Sequence, residues 1–428
     1  MRRIRRIFWC LVPIGWVFGS WFIGSVFAQP EASLYAYGQA LRGLEEKKLY
    51  ETTLDALKTY MVQYPEFENA ADVQFSLAQV HDTYKNRDQA FVSYLKLIRL
   101  YPKSPKIGQA VENTRRVVSD DSNLSPIKEK LISLLVASAE KTAFPDVYLE
   151  LLQGLRDLLY PKLNEALISE CRLFVESYPE YAGTPLVAEW IGDMYTENGE
   201  HWEALAAYLR VVHLYGSSLR VTGCRLKIAD LFGDRLKRYD EAVRTYEAML
   251  SSSADSSAWS EAQWKLALVL ERNMRNYRRA ADEYEKLADV YPGSVHRFEA
   301  LVRKANLHVS ELQQYEAGIQ TYLRAVENHP EDSNAPDALA QAAEVYEKRM
   351  KDYENAIRLY RELSDKYPSN ALASEKLFRA AELAERNLKD TSRALMLYEE
   401  VVNKFGSERI ADKARRKVDT LKKNVKSE

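Results

Sequence analysis

Between residues 331 and 406 the chain writes one block twice, with no insertion or deletion. In the first copy Leu339, Ala342, Ala343, Tyr346, Tyr353, Ala356, Ile357, Tyr360 and Leu363 lead to Tyr367-Pro368. Adding 38 to each number gives Leu377, Ala380, Ala381, Ala384, Thr391, Ala394, Leu395, Tyr398, Val401 and Phe405-Gly406. Nearly every apolar or small position recurs as apolar or small. Each copy has the spacing of two amphipathic helices, one ending near Lys348 and one running from about Asp352 to Tyr367. Neither can bury its apolar stripe alone, so the block demands neighbours of its own kind.

A helix-ending dipeptide carries the period along the rest of the chain: Tyr64-Pro65, Tyr101-Pro102, Tyr178-Pro179, Tyr215-Gly216, Tyr291-Pro292 and His329-Pro330, then the two above. The steps are 37, 77, 37, 76 and three of 38 residues. The 76-residue step contains a repeat whose marker has become Ser252-Ser253, with Ala229, Tyr239, Ala242 and Tyr246 keeping register with Ala267, Tyr277, Ala280 and Tyr284. The 77-residue step holds two degenerate repeats, with helices near 106–120, 125–141, 145–159 and 163–178. Ten helix pairs result.

The recurring residues have steric causes. Proline cannot continue a helix and restricts the residue before it, while glycine at the same place supplies a left-handed cap. Ser104, Ser294, Ser333 and Ser369 are expected to cap the next first helix of a pair. Alanines such as Ala343 and Ala356 allow close helix approach, and Tyr360 fills the space beside them. With 27 Tyr, only 16 Gly and few β-branched runs, an all-α fold is expected.

At Leu339, Ala342-Ala343, Tyr346, Ala356, Tyr360 and Pro368 the chain resembles the tetratricopeptide repeat family. The resemblance covers residues 31–406 and implies a right-handed superhelical solenoid of about ten antiparallel helix pairs. The period of 38, against about 34 in the family, implies longer helices and is similar to bacterial envelope proteins of the outer-membrane assembly and Tol-Pal-associated kinds. Residues 29–406 are read as the repeat array, degenerate around 103–179. Residues 407–428 are read as a basic capping helix and tail.

The first 28 residues differ in kind: Arg2, Arg3, Arg5 and Arg6 precede 22 uncharged residues, Ile7 to Ala28. This is the pattern of an export signal, with Val26-Phe27-Ala28 as the cleavage site and Gln29 as the new N-terminus. An uncleaved anchor is the alternative, since such a run can span a bilayer. Either way the body is expected on the far side of the inner membrane, in the periplasm. Cys10 lacks the small residues that precede a lipid-carrying cysteine, and Cys171 and Cys224 read as separate buried thiols.

The formal charge of −2 hides an asymmetry. Without the four signal arginines the chain carries −6. Residues 403–428 hold nine basic and four acidic residues, leaving about −11 on the body. Such a body does not attract nucleic acid. The six histidines form no metal spacing, and there is no phosphate loop, nucleophile elbow or Cys-x-x-Cys, so neither an enzyme nor a cofactor is expected.

The family resemblance implies that the first helix of each pair lines a concave face. By register this face takes Phe75, then Glu189, Asp193 and Glu197, then Asp230 and Asp234, Trp264 and Glu271, Glu344 and Glu347, and Phe378, Glu382 and Glu385. Carboxylates with occasional exposed aromatics suit a protein or peptide partner carrying basic residues. An exported interaction scaffold serving envelope assembly or maintenance is therefore expected. The alternative is a structural subunit that meets its partners through its terminal helices.

Overall fold

A computed structural model describes residues 30–136, 143–251 and 256–427. The N-terminal signal and the Ser252-Ser253 marker lie outside the described residues. Among the described residues there are 21 α-helices and no strand. No described helix is long and apolar enough to cross a membrane. The helices alternate as first and second members of pairs: α1 (Pro30–Gly43), α2 (Tyr50–Gln63), α3 (Ala70–Thr83), α4 (Arg87–Leu100), α5 (Ile107–Asp120), α6 (Lys128–Val136), α7 (Phe144–Arg156), α8 (Asn164–Ser177), α9 (Thr184–Asn198) and α10 (His201–Leu214). They continue as α11 (Arg220–Asp230), α12 (Tyr239–Leu250), α13 (Ser256–Leu268), α14 (Tyr277–Val290), α15 (Arg297–Ser310), α16 (Tyr315–Asn328), α17 (Ala335–Glu344), α18 (Tyr353–Lys366), α19 (Ala371–Arg386), α20 (Thr391–Lys404) and α21 (Arg409–Ser427). The ten expected pairs are present, followed by one unpaired helix.

The chain divides into two compact units, residues 1–187 and 188–428. In the second unit packing runs from neighbour to neighbour. Ala229, Ala267, Ala305, Ala343 and Ala381 are fully buried on the first helices, opposite Ala242, Ala280, Gly318, Ala356 and Ala394 on the second. Any side chain larger than a methyl at these points would push the pair apart.

The turn inside each pair shows where part of the long period comes from. From Ala78 to Ala90, and from Gly192 to Ala204, the count is 12 residues, and the turn closes with an N–H bonding five residues back: Asn86 to His81 and Glu200 to Tyr195. In the later repeats the count is 13, as from Ala343 to Ala356, and the closing bond reaches six residues back: Arg238 to Phe232, Asn276 to Leu270, Gln314 to His308, Asp352 to Tyr346 and Asp390 to Ala384. The extra residue is absorbed as a wider π-type turn at the end of α11, α13 and α17. Every such turn then passes through one left-handed residue, at Lys85, Gly199, Lys237, Arg275, Gln313, Lys351 and Lys389.

The expected serines do not cap their helices. Ser104 accepts from the Lys106 N–H and Ser294 from the His296 N–H, but Lys106 and His296 are themselves the N-cap residues of α5 and α15, which have no side-chain cap. Each serine therefore closes the turn just before the helix, and Asp332, not Ser333, does the same before α17 by accepting from the Asn334 N–H. At α19 the cap is Asn370, not Ser369, accepting from the Leu372 N–H.

The first unit departs from the expectation that each repeat touches only its neighbours. Here α2 packs on α8, and α4 on α7 and α8. Helix α4 is consequently buried nearly all round, from Ala90 through Leu97 and again at Arg99 and Leu100. Its Lys96 lies in the interior, donating to the Tyr148 hydroxyl at 2.7 Å and the Glu170 carboxylate at 2.9 Å. Burial works to raise Glu170, but the Lys96 charge and the Tyr148 hydroxyl outweigh it and hold the carboxyl ionised. Cys171 and Cys224 are free and buried, as expected of separate thiols.

The C-terminal helix α21 ends the array by changing one face only. Ala411, Ala414, Val418 and Leu421 are buried, with α20 as the main neighbour. The positions that would receive a further helix, occupied in α19 by Leu377, Ala381 and Ala384, are Arg415, Asp419 and Lys422 in α21. Charge replaces the docking surface, which is the polar cap a repeat array requires.

Two outcomes are expected. Ala343→Leu or Ala381→Leu should overpack its pair and cost roughly 1–3 kcal/mol by chemical denaturation, and unchanged curves for both would show the alanine register to be wrong. Glu170→Gln should leave the Lys96 ammonium buried without a counter-ion and cost about 3–5 kcal/mol. Lys96→Met combined with Glu170→Leu should recover most of that loss.

A tyrosine, carboxylate and cation ladder on the first helices

The candidate binding face is built on a tyrosine that recurs every 38 residues on the second helices: Tyr208, Tyr246, Tyr284, Tyr322, Tyr360 and Tyr398. Each ring is buried. A buried hydroxyl needs a partner, and each of these finds it on the first helix of its own pair. Tyr208 donates to Asp193 at 2.6 Å, Tyr246 to Asp230 at 2.6 Å, Tyr360 to Glu347 at 2.8 Å and Tyr398 to Glu385 at 2.7 Å. Tyr284 donates to Glu271 and Tyr322 to Asn306. Burial first, and then the carboxylate, push the Tyr360 and Tyr398 hydroxyls far up, so they remain protonated donors.

The first helix of the following pair supplies a cation to the same carboxylate. Lys227 reaches Asp193 at 2.6 Å and Glu189 at 2.7 Å, and Lys265 reaches Asp230 at 2.7 Å. Arg303 lies 3.4 Å from Glu271, Arg379 2.6 Å from Glu347 and Lys417 2.8 Å from Glu385. These cations also share one register, 38 residues apart except that the fourth place is Gln341. That is the step at which Asn306 replaces the acid. Where the carboxylate is missing, so is its cation.

The expected acidic face is therefore a charge-alternating one. Glu189 is buried between Lys227 and Arg220. Glu347, only 6 % exposed, is not solvent-facing as expected, because it serves Tyr360 from below and Arg379 from above. Glu344 pairs with Lys348 and Lys376, and Glu382 with Arg379 and Arg386. Burial works to raise Glu344 and Glu385, but Lys348 and Lys376 in the one case, and Lys417 and Tyr398 in the other, hold them below the usual carboxylate range. Asp234 and Glu197 stand exposed at the ends of their helices.

The three aromatic anchors also sit deeper than the sequence suggests. Phe75 and Trp264 are 6 % and 7 % exposed, and Phe378 is half-buried. Each rests against the tyrosine of its pair, with ring centroids 5.9 Å apart for Phe75 and Tyr94, 5.5 Å for Trp264 and Tyr284, and 5.2 Å for Phe378 and Tyr398. Trp264 is further covered by the stacked ring of His296 at 4.7 Å and by Arg303 at 5.5 Å. These side chains roof the tyrosines and do not project as free anchors.

What remains open on this face is a stripe at every third or fourth residue: Asp337, Gln341, Glu344 and Lys348 on α17, then Glu375, Arg379, Glu382 and Arg386 on α19. Asp337 and Glu375 are exposed, and neither forms an ion pair. Sequence register alone could have found the cations, since they keep the 38-residue step, whereas the acids lie anywhere from 13 to 16 residues before their tyrosines. They were missed because only one sign of charge was followed.

The neutral step allows a direct test. Asn306→Asp should cost about 1 kcal/mol, and adding Gln341→Lys should recover most of it, giving a coupling of roughly 0.5–1 kcal/mol in a double-mutant cycle. A coupling near zero would mean that the ladder is not continuous there.

The sequence profile of the tetratricopeptide repeat family matches residues 261–294, 337–370 and 377–407. No curated protein matches the chain. Among solved structures it is similar to the C-terminal part of a repeat-containing protein from Cytophaga hutchinsonii, at 14% identity over 71% of this chain and 99% of that one, with a TM-score of 0.42. It is also similar to a tetratricopeptide repeat protein from Parabacteroides merdae, at 14% identity over 64% and 98%, TM-score 0.34. A third is the pilF protein of Pseudomonas aeruginosa, at 18% identity over 54% and 95%, TM-score 0.34. Three repeats match the family profile directly, and the neighbouring pairs carry the same alanines, tyrosine and left-handed turn at the same period. The three matched stretches are tetratricopeptide repeats.

Proposed function

We propose that this chain is an exported interaction scaffold of the bacterial cell envelope, which holds a protein or peptide partner on the first-helix face of its second unit. Tetratricopeptide repeats generally act as non-catalytic protein-binding scaffolds, and the observation that carries the reading is the ladder itself. It fixes the first helices of the second unit to one another through buried tyrosines and paired charges at every step but the neutral one at Asn306 and Gln341, so the outer stripe is a rigid surface of alternating sign. A partner segment bearing both signs fits this surface better than a uniformly basic one, because most of its carboxylates already have a cation. Export rests on the arginines and the 22 uncharged residues at the start of the chain.

A second reading, a structural subunit joined through its terminal helices, has support at one end. On α1 the outward residues Ala36, Tyr37, Ala40 and Leu44 are exposed, whereas the end face of α21 is charged.

Crosslinking in intact cells, followed by identification of the captured protein, provides the partner. Asp337→Lys with Glu375→Lys should then weaken capture by roughly three- to tenfold while leaving the melting temperature nearly unchanged, because both side chains are exposed and unpaired. Capture that survives this change but fails with Tyr37→Glu assigns the contact to α1. A C-terminal reporter that works only outside the cytoplasm should be active, and the mature N-terminus should be Gln29. An inactive reporter would overturn the envelope placement.

A further inference from the structure

We infer that the edge of the second unit formed by the turns inside the pairs from α11 onward is a docking surface for anionic phospholipid headgroups. These turns, taken from three residues before each left-handed position to one after it, contain ten basic and four acidic residues at Lys237, Arg275, Gln313, Lys351 and Lys389, whereas the turn at Gly199 that precedes them contains two acidic residues and no basic one. The turns between pairs at 292–296, 330–334, 368–372 and 406–410 lie at the other ends of the helices and contain one basic and three acidic residues. On a body whose charge is negative, one edge is basic.

Arg238, Lys348 and Arg386 pair with Glu241, Glu344 and Glu382, but packing does not account for the other cations. Arg272, Arg275, Arg278, Arg349, Lys351 and Lys389 are all exposed, and none forms an ion pair, although ion pairs are dense elsewhere on the same unit. A cation in the last turn of a helix offsets the helix dipole, which explains Arg272 and Arg349. It does not explain Arg278, which sits in the first turn of α14, where the dipole disfavours positive charge. Nor does it explain Arg275, Lys351 and Lys389, which occupy the left-handed positions themselves. That conformation is least strained for glycine or asparagine, and Gly199 shows that glycine is accepted in an equivalent turn. Two of the acids on the edge are turned inward as caps, Asp352 accepting from the Asn355 N–H and Asp390 from the Arg393 N–H.

The geometry selects the kind of partner. The cations stand on exposed turns in three groups, around Lys237, around Arg275, and around Lys351 and Lys389, the last set apart from the first two by the acidic turn at Gln313 with its Glu311 and Glu316. Protruding side chains do not converge on a single ligand, but they can rest together on an extended anionic plane. A bilayer containing acidic phospholipid is such a plane, and each basic residue near it adds to the attraction until salt screens it.

The test is an amine-reactive footprint of the full chain on vesicles of phosphatidylglycerol and phosphatidylcholine, compared with phosphatidylcholine alone. Where the 22 uncharged residues at the start of the chain are retained they contact both kinds of vesicle alike, so the readout is local and not total binding. Lys351 and Lys389 should be modified several-fold more slowly on the anionic vesicles, with Lys47, Lys48 and Lys103 of the first unit unchanged, and the protection should fade with added salt. Arg272→Glu, Arg275→Glu, Arg278→Glu and Arg349→Glu together should abolish the protection while lowering the melting temperature by no more than a few degrees, the cost of the lost dipole contacts at Arg272 and Arg349. Equal modification on both vesicles would overturn the inference. So would protection of Lys351 and Lys389 by soluble polyglutamate in the absence of any effect of the anionic vesicles, which would assign the edge to an acidic protein.

Discussion

The second unit depends on the hydroxyl of one buried tyrosine. Alanine contacts bring the two helices of a pair close enough for the ring to be enclosed, and enclosure leaves its oxygen without water. The cost of an unpaired buried hydroxyl is about 1–3 kcal/mol, comparable to the whole contribution of a core side chain. A carboxylate on the first helix satisfies it, and that carboxylate, itself drawn out of water, needs a positive charge. The next pair supplies one. A steric requirement inside one repeat thus becomes an electrostatic link between two.

This chain of requirements explains why the charges on the first helices are regular, and why they vanish in pairs. At Asn306 the acceptor is neutral, and at Gln341 the cation has gone with it. An amide satisfies the Tyr322 hydroxyl without creating a buried charge, so no counter-ion is required. The same reasoning limits what the face can offer a partner. Carboxylates committed to Lys227, Lys265, Arg379 and Lys417 are structural first, and recognition falls to the outer residues of the stripe.

The two units solve the burial problem differently. In the second, each pair covers the next, and α21 is charged at the positions where the earlier first helices are apolar. In the first, α4 is wrapped by helices that come much later in sequence, and its deepest charge, Lys96, is matched by Glu170 from α8. A buried pair of this kind adds little net stability, because desolvation offsets most of the attraction. Its effect is to make one arrangement of α4, α7 and α8 strongly preferred over any that would strand either charge.

The sequence by itself determined the helix pairs, their number, the alanine contacts and the place where the array ends, because each is written in spacing that survives from repeat to repeat. Even the degenerate stretch was legible, with helices expected near 106–120 and 163–178 and found at Ile107–Asp120 and Asn164–Ser177. Three things were decided only by the tertiary structure. The depth of Phe75, Trp264 and Glu347 depends on what the following helix covers, and a residue's own position in a repeat does not reveal that. The pairing of acids with cations some 32 to 38 residues away requires knowing which helix faces are adjacent. The burial of Lys96 depends on contacts 74 residues distant, beyond the reach of any local pattern. Its trace in the sequence is that apolar residues occupy α4 from Ala90 to Leu100 on every side but the narrow stripe of Ser93, Lys96 and Arg99, which leaves little of the helix for water.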